Sequence, residues 1–445
     1  MKNGLRLASL LAALAIVAAA CSSGGGTQAP AASGPATSAA PAPGESAVPA
    51  ASAAALPEGD FALTLWTKEG EADGSFQYVK SLTDAYTAAH PNVTFEVVNK
   101  DVEALREDFQ TSSLAGDPPD LLWTVSDHWG PFHAADLIQP VDSLIDPAEY
   151  VPNALSVLQL EDATWGVPIS YGNQLMLYWN KELAGADAPA DSDAWIAAAK
   201  PLTTGDDVGI AFNQTESFWL VPFLGGFGGS VFAEDGVTPT LDTDAMRSAL
   251  EFLYNLKFTD KVTPSEADYN VADGLFKEGK AAYIINGDWT LGAYAAPPDA
   301  EAPGLGDNLG VGPLPLLSGA EDPKPYVAGT YFMVPKSLAG DELTVAADFM
   351  NFATNADNQA GMVEALKRLP GNAETFGSEI VTGDPLLGAS AEAAAKGVAQ
   401  PVQLEMRCVF DAMTAGVRDM FGGNNDFAGL SATMQSSAQT CIDQL

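Results

Sequence analysis

The chain has 445 residues, with 58 acidic against 20 basic side chains, a formal net charge of −38, three histidines and three cysteines. Nucleic acid and anionic membrane surfaces recruit clusters of Lys and Arg, so this balance argues against both as partners. The acidity reads as the solubilising charge of an exported protein and does not by itself imply a cationic ligand.

Lys2 and Arg6 precede the apolar run Leu7 to Val17, and Ala18 to Ala20 lead to Cys21. A charged start, an apolar run too short to span a bilayer and a small-residue cleavage site predict a signal peptide over 1–21. Cys21 after the small residues is similar to a bacterial lipobox, in which the cysteine is lipidated. Ala18 departs from the leucine common at that position, and secretion with Cys21 inside the signal is the alternative. Residues 22–57 are nearly all Ala, Pro, Ser, Gly and Thr, a composition that cannot bury a core and predicts a disordered tether. Such a tether reaches roughly 30–35 Å and, with one lipid anchor, holds a domain near a membrane that it does not otherwise bind.

From residue 58 onward the pattern alternates. Phe61 to Trp66 reads as a strand, Ser75 to Ala89 as a helix with Phe76, Val79, Leu82 and Tyr86 on one face, and Val93 to Val98 as a strand. Val102 to Leu114 reads as a helix and Leu121 to Val125 as a strand. Further strands are expected at Pro168 to Trp179, Ala281 to Ile285, Leu309 to Leu314 and Tyr326 to Val334, with helices at Thr243 to Leu256, Glu342 to Thr354 and Leu404 to Phe421. The fold class is α/β, long enough for two lobes, and no repeat is apparent. After the signal only Cys408 and Cys441 remain, each in a helix-like segment. Export to an oxidising compartment predicts a disulfide between them, and two buried thiols are the alternative.

Catalytic and cofactor motifs do not emerge. No H-E-x-x-H, G-x-S-x-G or phosphate-loop pattern occurs, Gly304, Gly306 and Gly310 miss the dinucleotide spacing, and Asp127, His128 and His133 match no common zinc spacing. The chain is therefore read as a non-enzyme with no metal and no cofactor.

The stretch F-K-E-G-K-A-A-Y-I-I-N-G-D-W, Phe276 to Trp289, carries the most information. Gly279 closes a helix, Ala281 to Ile285 forms a strand, and Asn286-Gly287 predicts a turn that presents Trp289 at the strand's end. A flat aromatic held there can stack on a sugar ring, and a core tryptophan is the alternative. This pattern resembles one in the family 1 extracellular solute-binding proteins of ABC transporters, the group that includes maltose-binding protein. Their landmarks recur in order from Phe61 to Leu445: L-T-L-W at Leu63 to Trp66, G-D-P-P-D-L-L-W at Gly116 to Trp123, Y-W-N-K at Tyr178 to Lys181, the Trp289 stretch, and R-L-P-G-N at Arg368 to Asn372.

The resemblance implies a two-lobed periplasmic-binding-protein-like fold of type II, with lobe 1 at 58–170 and 311–368 and lobe 2 at 171–310 and 369–445. Three crossings are expected, near Pro168 to Asn173, Leu309 to Pro315 and Leu369 to Asn372. It further implies a carbohydrate ligand, delivery to ABC transporter permease subunits, and a monomer. Asp127, at the end of a strand, corresponds to the family's hydroxyl-binding aspartate; an N-cap of the following segment is the other reading. Beside it, His128 stands where the maltose-binding pattern has arginine and Thr124 where it has tryptophan, so maltose itself is not implied. Glu216 falls on a second acidic ligand position and Phe218 on a stacking aromatic, against core packing for Phe218. The loop after Trp66 makes Glu69 and Glu71 candidates, or a solvated charge run. Asn173 occupies a hinge position and could bond a hydroxyl, and Phe410 and Asp411 are nearest to the last aromatic cluster. A surface glycoside hydrolase using Asp127 and Glu216 as its carboxylate pair, and a polyamine or other non-sugar solute, are the rival readings.

Overall fold

The computed structural model describes residues 56–71 and 74–445; the expected signal peptide, Cys21 and the tether up to residue 55 lie outside the described residues. The first sheet is built around β1 (Phe61–Thr67), which pairs in parallel with β2 (Val93–Asn99) and β3 (Leu121–Val125). The connecting helix Ser75–Ala89 buries Val79, Leu82 and Tyr86, three and four residues apart, and covers one face. The second connecting helix, Val102–Ala115, is capped by the Asp101 carboxylate, which accepts from the Glu103 N–H at 3.1 Å, and ends at Gly116 with φ of 80°.

On the other flank, the ten-residue strand β12 (Tyr326–Pro335) runs antiparallel to β3, to β4 (Ile138–Gln139) and to β7 (Val167–Gly172). β5 (Gln159–Leu160) and β6 (Ala163–Thr164) form a separate small hairpin. The second sheet has the order β11-β8-β10-β9, with β8 (Leu175–Asn180) antiparallel to β10 (Ala281–Gly287) and β11 (Leu309–Gly312), and β9 (Val208–Ala211) parallel to β10. Each sheet has its own buried cluster, the first around Leu65, Trp123, Phe332 and Phe349, the second around Trp179, Phe212, Ile285 and Met413.

One expected strand changes. Pro168 to Trp179 is not one strand: β7 and β8 belong to different sheets, and the chain breaks between them at Gly172 (φ 143°) and Asn173 (φ 57°). Both halves are buried, so the apolar run conceals the break. The segment Leu369–Asn372 lies against the first sheet through Tyr171 N–H to Leu369 O at 3.0 Å and Gly371 N–H to Ile169 O at 3.1 Å. After it, β13 (Val398–Ala399) pairs in parallel with the start of β12, so the chain touches the first sheet again before entering the helix Glu405–Phe421.

That helix and Phe427–Ile442 pack against the second sheet, and Cys408 and Cys441 are disulfide-bonded across them with Cα atoms 5.5 Å apart. Closing a loop with a sequence separation of 33 restricts the unfolded chain. Reduction is expected to lower unfolding stability by about 3–4 kcal/mol, read as a shift of the urea midpoint with and without reductant.

Candidate functional site

In open α/β sheets, ligand-binding side chains project beyond the carboxyl ends of the strands. Here the segments following β1 and β3 in the first lobe and those following β9 and β10 in the second are linked by the Arg407–Glu103 ion pair, between the first turns of helices Glu405–Phe421 and Val102–Ala115, and by charges that act on Glu216 and Asp288.

At the end of β1, Glu69 is 1 % exposed and its carboxylate is fully engaged. One oxygen accepts from the Trp123 indole N–H at 3.1 Å and pairs with Lys68 Nζ at 3.0 Å, and the other meets Arg368 Nη1 at 2.8 Å. Burial would raise this carboxyl, but the Arg368 guanidinium and the Lys68 ammonium outweigh it and hold it at about 2. Glu69 is expected to be a ligand contact, and the structure places its carboxylate inside the protein, paired with Trp123, Lys68 and Arg368. Glu71 is exposed on the loop beyond, beside residues 72 and 73 that lie outside the described residues.

At the end of β3 the chain turns into a short 3-10 segment, Ser126–His128. Asp127 caps neither this segment nor the helix Trp129–Ala134: Val125 and His128 stand at the two cap positions, and no side chain bonds there. Burial, reinforced by the negative Glu103, pushes the Asp127 carboxyl up to about 6 against the pull of Arg407 and Arg106. Thr124 is fully buried and its Oγ1 shares a 2.8 Å hydrogen bond with His128 Nδ1. Thr124 thus orients His128. His128 is 1 % exposed, and burial with Arg106 and Arg407 nearby lowers its pKa to about 3, so the ring stays neutral with Nε2 unpartnered by protein.

In the second lobe, Asn286 and Gly287 do not form the expected turn. Both remain in β10, Gly287 has φ of −80°, and the reversal is the 3-10 turn Asp288–Thr290. Gly287 is needed for space: a Cβ there would run into the six-membered ring of Trp289. The indole, half-buried, thus lies back over the strand, and its Nε1 donates to Tyr269 Oη at 2.9 Å. Phe218 lies 6.4 Å from Trp289 and 6.4 Å from Tyr326 between ring centroids, and Tyr326 lies 6.4 Å from Phe410. Phe218, Trp289 and Phe410 are only partly buried, so the four rings make a wall.

One ion pair and two electrostatic influences link this side of the second lobe to the first. Glu216, two residues before Phe218, is exposed yet crowded, and its pKa is raised by partial dehydration together with Glu103 and Asp101 of the first lobe, against the Asn213 and Arg418 side chains. Arg407, three residues before Phe410, forks onto Glu103, with Nη1 to Oε1 and Nη2 to Oε2 both at 3.3 Å. Asp288, beside Trp289, feels Arg368 and Lys68. Asp411 is exposed and pairs with Arg407 at 3.6 Å. Asn173 sits at the break between β7 and β8, and its backbone N–H helps to draw down the Asp288 carboxyl that burial raises to about 6. Sequence reasoning missed Arg407, Arg106, Asp288 and Tyr326. Only Asp288 had a local signal, its place next to Trp289. Among the described residues no group of His, Cys, Asp and Glu is arranged to hold a metal ion.

Residues 81–389 match the family described as bacterial extracellular solute-binding protein. Among curated relatives, a maltotriose-binding protein of Pyrococcus abyssi is 23 % identical over 351 residues, 77 % of this chain and 74 % of its own length. A galactooligosaccharide-binding protein of Bacillus subtilis is 25 % identical over 321 residues, covering 69 % and 72 % of the two chains. Among solved structures, the maltose/maltodextrin-binding domain of Bdellovibrio bacteriovorus bound to maltotriose matches with a TM-score of 0.78 and 27 % identity, over 86 % of this chain and all of that one. The two-lobed fold is shared with a Thermus thermophilus maltotriose-binding protein at a TM-score of 0.76 and 21 % identity, over 85 % of this chain and 100 % of that one.

Glu69 and Asp127 respond oppositely to pH. The Glu69 carboxyl is lowered to about 2, so its stabilisation is present above the unfolded carboxylate range and is lost as pH falls towards 2. The Asp127 carboxyl is raised to about 6, so ionising it costs stability as pH rises from about 4 to 6. Glu69→Gln is expected to lose about 3–5 kcal/mol at neutral pH, because it leaves Arg368 and Lys68 buried without their partner. Asp127→Asn is expected to flatten the fall in stability between about pH 4 and 6. Urea melts across pH check both.

Proposed function

The chain belongs to the bacterial extracellular solute-binding proteins, and from that premise we propose that it captures a neutral di- or oligosaccharide outside the cell and hands it to the permease of an ABC importer. The observation that carries this reading is the wall of Phe218, Trp289, Tyr326 and Phe410 in one lobe, with Asp127 and Glu216 at its border with the other. The C–H faces of a pyranose match aromatic rings, and its hydroxyl edge matches carboxylates, which as ionised acceptors form the stronger hydrogen bonds. Relatives named for maltotriose and galactooligosaccharide support the same ligand class.

Binding works through closure. A sugar that touches both lobes makes its full set of contacts only when they are together, so it shifts the population towards the closed form that a permease recognises. No chemistry is part of this reading. Asp127 and Glu216 serve as acceptors, and incubation of maltotriose with the protein is expected to return it intact on chromatography. We further propose that Cys21 carries a lipid, that the 22–57 tether holds a monomeric domain off the membrane, and that the lobes divide at the crossings expected from the sequence. Globomycin-sensitive maturation and metabolic labelling with palmitate, lost in Cys21→Ala, check the anchor.

Trp289→Ala is expected to weaken oligosaccharide binding by roughly 30- to 1,000-fold, equivalent to about 2–4 kcal/mol at a binding hot spot. Isothermal calorimetry measures it. The melting temperature is expected to fall by much less than for a core tryptophan, whose loss costs about 3–5 kcal/mol. Unchanged affinity with a sharp loss of stability would make Trp289 a core residue.

A further inference from the structure

Asp288 lies between the last residue of β10 and the Trp289 platform, and it is 4 % exposed. Its carboxylate lies beside backbone N–H groups from two places at once, Trp289 next to it and Asn173 at the break between β7 and β8, and both draw its pKa down. Its own N–H donates to Gln174 O at 3.1 Å. Gly172, with φ of 143°, makes room for it, since a Cβ there would collide with the Asp288 carboxylate. The same carboxylate lies in the field of Arg368 and Lys68, the two cations that pair with Glu69 of the first lobe at 2.8 and 3.0 Å.

We propose that Asp288 is a positioning residue that locks the Trp289 stacking platform to the Gly172–Gln174 crossing, so that the orientation of the indole is set by the hinge. Two anchors already hold the ring of Trp289, the Tyr269 hydroxyl on Nε1 and the space over Gly287. Asp288 adds the third, on the main chain, and it is the one that reaches the crossing between the sheets. Burial pushes the Asp288 carboxyl up to about 6, and Arg368, the Asn173 N–H and Lys68 pull against it, so at neutral pH the group is ionised and answers those cations as an asparagine would not. A negative carboxylate bonds both N–H groups more strongly than a neutral amide would, and it gives Arg368 and Lys68 a second partner on the far lobe. When the lobes separate, that attraction weakens, while the Tyr269 bond and the space over Gly287 keep the indole on its strand. This inference rests on Trp289 being the sugar platform, and the test separates the two.

The protein is labelled with 5-fluorotryptophan, and the Trp289 resonance is assigned by its absence in Trp289→Phe. Asp288→Asn keeps the shape and removes the charge, and Asp288→Ser removes the reach as well. In ligand-free protein the Trp289 resonance is expected to shift or broaden in both variants while the other tryptophans stay in place. The affinity for maltotriose is expected to fall by about tenfold in Asp288→Asn, the order expected when the support of a contact residue is loosened, mainly through faster dissociation. An unmoved Trp289 resonance overturns the proposal, and so does a displacement of all tryptophans together with a large drop in melting temperature, which would make Asp288 a general structural residue. If wild-type protein binds no maltotriose, the sugar reading is what fails for that ligand, and the fluorine spectra of the ligand-free variants still decide the role of Asp288.

Discussion

Glu69 lies two residues beyond β1, is almost wholly buried, and meets three donors from three parts of the chain: Lys68 next to it, Trp123 in β3, and Arg368 in the segment that leads to Leu369–Asn372. Removing one partner from such a buried group leaves an uncompensated charge, which costs about 3–5 kcal/mol. The carboxylate therefore holds these three segments together, and they are the ones that bring the first sheet to the boundary with the second. Asp288 reaches the same two cations from the other side. Everything at the interface, including the break at Gly172 and Asn173 and the turn carrying Trp289, is arranged about this buried set of charges.

Much of the fold was legible because it depends on local periodicity. The helix Ser75–Ala89 and the strand Leu121–Val125 occupy the residues that the sequence indicates, since the helix buries one apolar stripe and the strand is a short apolar run buried throughout. The break inside Pro168 to Trp179 was not legible. β7 and β8 are buried in two different sheets, and a run apolar on both sides carries no mark of which sheet each half enters. Gly287 shows a related ambiguity. Asn-Gly ordinarily indicates a turn through positive φ, but this glycine is extended and is required by the volume of the Trp289 ring.

The site was legible for side chains that follow strands and illegible for those defined by partners far along the chain. Asp127, Glu216 and Trp289 could be located from strand ends and from family resemblance. Nothing near Glu69 announces that Arg368, 299 positions away, occupies its carboxylate. Nothing near Glu103 announces Arg407, 304 positions away. Such pairs decide which acidic residues remain available to a ligand. They separate Glu69, consumed inside the protein, from Asp127 and Glu216, whose carboxyls have no such close cation.

The two kinds of interlobe contact also differ in strength. Glu103 and Arg407 meet at 3.3 Å with the glutamate side chain half exposed, and a pair so open to water contributes little, on the order of 0–1 kcal/mol. The Glu69 set is buried and unscreened. A hinge between two lobes needs both: a fixed pivot that keeps its geometry through opening, and weak contacts at the rim that yield when ligand leaves. A rim contact of about 1 kcal/mol biases the lobes without committing them, so ligand contacts of several kcal/mol can still decide the population. The aromatic wall lies between the pivot and the rim, flanked by Asp288 on one side and by Arg407 on the other. Closure thereby brings the first lobe over rings whose own packing within the second lobe does not have to change.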